Sequence, residues 1–186
     1  GAHNVLNALG VIGLGLTLHI PLTVVREALW AFRGTSRRFQ LTQLPNDVWF
    51  VEDYAHHPSE IQVTLDADPF SARHRMVVFQ PHRFSRTKLL EDEFTRCFDR
   101  ADGVIVTDID SAFEPPIPGV SGERMAHLIR SRGHPCVRYV PRTELTSYLT
   151  HAIQPQDTVF FLGAGDIGEL CHDLAAQLRA THRVAR

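Results

Sequence analysis

Hydrophobic and polar positions change their period along the chain, and the change divides it. Residues 4–18 are apolar almost all round and include Gly10, Gly13 and Gly15. That is the pattern of a buried helix packed closely on a neighbour. Pro21 opens a second helix to about Phe32, with Leu22, Val25, Leu29 and Phe32 on one face. Arg33-Gly34-Thr35-Ser36 then breaks the pattern. From Arg37 on, short apolar runs alternate with helical ones. Strands are expected at 39–43, 48–53, 75–80, 103–107, 136–140 and 158–162, and helices at 58–65, 87–98, 121–131, 143–152 and 166–180. Pro45-Asn46-Asp47 is a turn between the first two strands.

Continuous apolar runs such as Met76-Val77-Val78-Phe79 fit strands buried on both faces. Their alternation with helices predicts an α/β fold: a Rossmann-like, mostly parallel sheet with helices on both faces, preceded by two helices. The expected division is residues 1–35 and 36–186. Ligands of such a sheet gather at the carboxyl ends of its strands. Those ends carry Asp53-Tyr54-Ala55-His56-His57-Pro58, Pro81-His82-Arg83-Phe84-Ser85-Arg86, Asp108 with Asp110, and Gly163-Ala164-Gly165-Asp166-Ile167-Gly168.

Composition narrows the class. With 186 residues, 44% of them hydrophobic, the chain holds one domain or one domain and a fragment, and it is not disordered. A net charge of −2 lacks the basic excess of a general nucleic-acid binder. The apolar stretch from Val5 to Ile20 contains Asn7 and His19, falls short of the roughly 18 residues of a membrane span, and lacks the charged flank of a signal peptide. Three widely spaced cysteines form neither a disulfide framework nor a zinc site, which fits a reducing, cytoplasmic setting. A start without Met, running straight into an apolar helix, reads as a cut inside a longer protein.

The strand-end loops offer anion chemistry. Arg83 and Arg86 suit a carboxylate or phosphate, helped by a helix N-terminus; the competing reading pairs them with Glu91, Asp92 or Glu93. Asp53 is placed to hold ribose hydroxyls. His56 and His57 lack a third partner for a metal, and one of them can instead cap the turn before Pro58, so no metal site is expected. Gly163-x-Gly165-x-x-Gly168 matches a dinucleotide fingerprint, yet the chain ends 18 residues later, too soon for the acidic partner expected about 20 positions on. It is better read as a tight strand-to-helix turn. Neither a phosphate-loop motif nor a G-x-S-x-G elbow occurs.

Three stretches together carry a resemblance: Gly1-Ala2-His3-Asn4-Val5-Leu6-Asn7-Ala8, Asp53-Tyr54-Ala55-His56-His57-Pro58-Ser59-Glu60 and Phe79-Gln80-Pro81-His82-Arg83-Phe84-Ser85-Arg86. In order and spacing they resemble the Mur ligases of peptidoglycan synthesis, in the branch that adds L-alanine; the Gly163–Gly168 loop fits as a fourth. The resemblance implies that residues 1–35 end a central ATPase domain and residues 36–186 form the Rossmann-like domain that closes over ATP and brings in the amino acid. It further implies a bacterial, cytoplasmic enzyme that joins L-alanine to UDP-N-acetylmuramate through an acyl phosphate. ATP, Mg²⁺ and the protein's remaining domains would be its partners, with no nucleic acid or membrane, and the chain by itself would be inactive.

By position, the resemblance places Asn4 and Asn7 near the adenine, Arg38 on the ATP phosphates, Asp53 on the ribose and Tyr54 beside the nucleotide. It places His56, Arg83 and Arg86 around the amino acid, with the two arginines as the catalytic pair. His3 and His82 receive no role, and no residue stands out as the base for the amine. Ala2, Ser59 and Phe84 depart from frequent family residues; the departures at Ser59 and Phe84 remove no proposed polar contact. Two alternatives stand beside this reading: a recycling ligase that joins a tripeptide to the same sugar, and a non-catalytic nucleotide-binding module.

Overall fold

The computed structural model describes residues 2–32, 34–70 and 73–184. Gly1 of the first motif lies outside them, and so does the side chain of His3. The chain divides into two compact units, Gly1–Ser36 and Arg37–Arg186.

The first unit is a helix pair, α1 (Ala2–Thr17) and α2 (Leu22–Ala31). A Cβ on Gly15 would lie 2.7 Å from Val25 Cγ2, so the missing side chain is what lets the helices approach. His19 reverses the chain with φ +55°, and Ile20 N closes the turn on Gly15 O at 2.9 Å. The all-round apolar pattern predicted a buried helix. Instead Val5, Leu6, Leu9, Leu14 and Leu16 are exposed, because among the described residues of this unit α2 alone is there for α1 to pack on.

The second unit is a six-stranded sheet: β1 (Gln40–Gln43), β2 (Trp49–Asp53), β3 (Arg75–Phe79), β4 (Gly103–Val106), β5 (Val137–Tyr139) and β6 (Thr158–Leu162). The order is β1-β2-β6-β3-β4-β5. All neighbours are parallel except β1, which pairs antiparallel with β2. The helices are α3 (Pro58–Asp66), α4 (Phe84–Leu89), α5 (Glu91–Phe94), α6 (Gly122–Ser131), α7 (Leu145–Ala152) and α8 (Ile167–Val184).

Successive strand residues serve opposite faces. Val51, Val77, Phe79, Phe160 and Leu162 meet Ile61, Phe94, Phe98, Met125 and Ile129 from α3, α5, α6 and the turn after α5. Phe50, Met76, Val78, Val159 and Phe161 meet Leu145, Leu149, Leu170 and Leu174 from α7 and α8. The continuous apolar runs are thus two interleaved cores.

The helix expected over 87–98 is two. It begins earlier, at Phe84, and breaks at Leu90, whose φ and ψ are −109° and 23°. Thr95 Oγ1 folds back onto Asp92 O and ends the second piece, and Phe94, Cys97 and Phe98 all reach the core.

Candidate functional site at the carboxyl edge of the sheet

Strands β2, β6 and β3 run side by side and end together, with Asp53 opposite Leu162 and Leu162 opposite Phe79 in register. The loops that follow them therefore converge. Asp53 is buried, and both its oxygens are engaged: Oδ1 accepts from Ala55 N at 2.8 Å and Oδ2 from Phe39 N at 2.9 Å. Burial pushes its carboxyl above the ordinary range, and the two amides and Arg38 only partly offset this. Asp53 thus also ties the chain before β1 to the end of β2.

His56 donates through Nδ1 to Tyr54 O at 2.9 Å, since a carbonyl can only accept. That leaves Nε2 of the neutral ring with a free lone pair. The Tyr54 ring meets the His56 ring edge-on at 5.3 Å, and the His82 ring lies 5.8 Å from His56. His82 is held the opposite way round. Its Nδ1 accepts from Arg86 Nη1 at 3.3 Å, so the neutral ring carries its proton on Nε2, 4.0 Å from Asp110. Burial is the main cause that lowers the His82 pKa below its ordinary value; the charges of Arg86, His56 and Arg83 add to it, and Asp110 opposes it.

Glu60 Oε2 accepts from the amides of His56 and His57 at 3.0 and 3.2 Å. Burial alone would raise the Glu60 pKa, but those amides and the charges of His56 and Arg38 outweigh it and hold the carboxyl low. His57 faces solvent and meets Ser59 Oγ at 3.0 Å. Among the described residues no group of three His, Cys, Asp or Glu could hold a metal ion.

Arg83 precedes α4 with φ +71° and ψ 132°, a region costly for a side-chain-bearing residue. Its amide donates to Asp110 O at 2.7 Å, and its carbonyl accepts from Thr87 N and Oγ1. The guanidinium is exposed and makes no hydrogen bond or ion pair among the described residues. Glu91 pairs with Arg124, and Asp92 with Arg96 and Arg132, and among the described residues neither Arg83 nor Arg86 forms an ion pair with Glu91, Asp92 or Glu93. The reading in which Arg83 and Arg86 pair with those acids therefore fails. So does the helix-end contribution to an anion site, because Glu114 already takes Ser85 N at 2.9 Å and Ser85 Oγ at 2.7 Å.

The Gly163–Gly168 loop is a closed turn. Gly163 has φ +153°, and a Cβ there would meet Gln80 O at 2.8 Å. A Cβ on Gly165 would strike Asp110 and Gln80. Gln80 clamps the loop by donating to Asp166 Oδ1 at 2.6 Å and accepting from Ile167 N at 3.2 Å. Arg142 pairs with Asp166 at 2.9 Å.

The second unit thus brings Asp53, Tyr54 and His56 together, and His56 beside His82 and Arg86. Arg38 is exposed, its guanidinium 5.7 Å from the Tyr54 ring centroid. Asn4 and Asn7 are exposed on α1 and belong to the other unit. Sequence reading missed Arg37 and Glu52. Arg37, not Arg38, enters the edge, donating through Nη2 to Gly163 O at 3.0 Å and Gly165 O at 2.8 Å. Glu52, buried on the α8 side, sits 3.3 Å from Arg37 Nε and 3.0 Å from His172 Nε2. A doubled arginine before an edge strand, and an acid inside an apolar strand, were the available signals. Two concavities, of about 330 and 230 Å³, lie elsewhere: one is lined by Gln62, Asp66 and Arg96, the other by Leu44, Val48 and Leu178.

Two curated relatives are UDP-N-acetylmuramate–L-alanine ligases. That of Sorangium cellulosum is 46% identical over 185 residues, covering 97% of this chain and 39% of the relative. That of Geobacter sulfurreducens is 45% identical over 181 residues, covering 96% and 39%. The chain therefore spans about two-fifths of the length of the relatives it matches. The crystal structure of UDP-N-acetylmuramate-alanine ligase from Thermotoga maritima superposes with a TM-score of 0.76 at 30% identity, covering 97% of this chain and 39% of that one. A murein peptide ligase from Psychrobacter arcticus shares the fold, with a TM-score of 0.72 at 20% identity over 96% of this chain and 37% of that one. The family described as Mur ligase, glutamate ligase domain, matches residues 37–165, the stretch that holds strands β1 to β6 and helices α3 to α7 and ends just before α8. With that match resting on the same residues that build the strand-end cluster, the chain belongs to the Mur ligase family.

Proposed function

We propose that this chain is the amino-acid-binding and ATP-closing part of a ligase that joins L-alanine to UDP-N-acetylmuramate, and that it is inactive alone. The observation that carries the reading is the convergence of Asp53, Tyr54, His56, His82 and Arg86 at one end of the sheet, beside the unpaired Arg83. The named relatives support the same substrate pair.

In this reading ATP transfers its γ-phosphoryl group to the muramyl carboxylate and ADP leaves. The alanine ammonium group first releases a proton to solvent, the free amine attacks the resulting acyl carbon, the bond from that carbon to the phosphate oxygen breaks as inorganic phosphate leaves, and the nitrogen releases a second proton to solvent to leave an amide. Arg83 offers a free guanidinium to the alanine carboxylate or to the phosphoryl oxygens. Arg86, already fixed on His82, presents its remaining donors beside it. His56 leaves Nε2 as an acceptor for an N–H of the incoming ammonium group. Asp53 and Tyr54 would flank the ribose and base, and Arg38 the phosphates. Asn4 and Asn7, on the helix pair that would end the central domain, would read the adenine edge. Mg²⁺ would accompany ATP; the described residues supply no ligand set for it, and no step on this chain is assigned to it.

The test is phosphate release by the full parent protein with ATP, Mg²⁺ and UDP-N-acetylmuramate, comparing L-alanine with the L-alanyl-γ-D-glutamyl-diaminopimelate tripeptide. Release that depends on L-alanine is expected, with none from the 186-residue chain. Release only with tripeptide moves the protein to cell-wall recycling, and release with neither leaves a non-catalytic module.

A further inference from the structure

We propose that Arg37 is a positioning residue of the nucleotide site, locking the Tyr54 ring and the Gly163–Gly165 turn into one rigid wall. The proposal rests on the ligase reading above and adds to it a residue that the resemblance left without a role.

Arg37 joins three segments that the chain delivers separately. Its own segment leads into β1, Tyr54 follows β2, and the glycine turn follows β6. Its carbonyl accepts from Tyr54 N at 2.7 Å, and its amide donates to Gln40 Oε1 at 2.9 Å. Its backbone takes φ +58°, a conformation that those contacts hold against its cost. The guanidinium carbon lies 4.8 Å from the Tyr54 ring centroid. Nη2 bridges the carbonyls of Gly163 and Gly165, and Nε faces the buried Glu52 carboxylate.

The glycine turn needs such a clamp. Its two glycines lack side chains because Gln80 and Asp110 fill the space a Cβ would take, and a chain of small residues has little stiffness of its own. A planar fork that reaches two carbonyls and a carboxylate at once supplies it. A lysine, with one compact ammonium, cannot make the same set. Because Arg37 acts through Tyr54 and the turn, its loss should loosen nucleotide binding and leave the chemical step largely alone.

The test uses the full-length protein. Removing Arg37 by itself would strand the Glu52 charge, so the main variant is the double substitution Arg37→Met with Glu52→Gln; Arg37→Lys, which keeps both charges, is the second. Melting temperature, ATP affinity by calorimetry, kinetic constants, and hydrogen exchange of the Ala164–Ile167 amides are measured for each. For the double variant the expected outcome is an ATP Kd and KM raised about tenfold, kcat within about twofold, and turn amides that exchange at least about tenfold faster. Arg37→Lys should fall between it and the wild type, and it carries the test if the double variant does not fold. Unchanged ATP affinity or unchanged exchange in a folded variant, with the wild type binding ATP normally, overturns the role of Arg37 alone. A wild-type protein that binds no ATP overturns the ligase reading and this role together.

Discussion

Arg86 donates through Nη1 to Nδ1 of His82 at 3.3 Å, and this bond decides where the imidazole can carry a proton. A guanidinium only donates, so a second proton on His82 would have to displace it. Burial, with the neighbouring cations, lowers the His82 pKa below the ordinary 6.5, while Asp110 opposes the shift. A histidine depressed in the folded state contributes its stability above the unfolded value and loses it as pH falls through the folded one. Imidazole proton shifts followed by NMR should therefore show His82 titrating below 6.5. Arg86→Gln should raise that midpoint, and Asp110→Asn should lower it further. A His82 midpoint above 6.5 would contradict the arrangement.

Arg83 and Asp53 should separate function from stability. Arg83 is exposed and unpaired among the described residues, so Arg83→Ala should change unfolding free energy by no more than about 0.5 kcal/mol. In the full-length protein it should cut L-alanine-dependent phosphate release by about 10²-fold. Asp53→Ala instead strands the amides of Phe39 and Ala55 and should cost about 1–3 kcal/mol. Urea unfolding and a phosphate assay on both variants check the contrast.

Phe79 carries the core beneath the site. It is fully buried, with ring centroids 5.3 Å from Phe94 and 5.4 Å from Phe98. Phe79→Ala should cost about 3–5 kcal/mol, and Phe79→Leu clearly less. Chemical denaturation of the 186-residue chain measures both.

The glycines divide by environment. Gly165→Ala should be destabilising, because its methyl group would press on Gln80 and Asp110. Gly10→Ala lies within α1 with open space around it and should stabilise that helix by about 0.5–1 kcal/mol. Circular-dichroism melts of the two variants should move in opposite directions.

The cysteines should react unequally. Burial pushes the Cys97 thiol up strongly and Cys171 to about 12, whereas Cys136 is exposed. A thiol reagent near neutral pH should label Cys136 rapidly in the folded chain and reach Cys97 and Cys171 only on unfolding.

Much of the fold was legible because apolar periodicity reports burial directly. The run Val159-Phe160-Phe161-Leu162 reads as a strand covered on both faces, and it lies near the middle of the sheet between β2 and β3. The run after Thr87 misled, since apolar spacing continues through Leu90, Phe94 and Phe98 and does not report the change of backbone angles at Leu90. At the site, the order of Asp53, His56, Arg83 and Arg86 along the chain was enough to point to strand ends and anion chemistry. Partners were not legible. Which of Arg37 and Arg38 enters the edge, and whether Glu114 already occupies the start of α4, depend on residues 128 and 29 positions away; which nitrogen of each histidine is free depends on partners only two and four positions away, whose orientation apolar periodicity does not report. Sequence alone determined what is local and periodic: the elements, their buried faces and the chemistry at strand ends. Tertiary structure decided which charges meet, because a hydrogen bond's partner is set by where distant loops arrive, and that is fixed by the packing of the whole sheet.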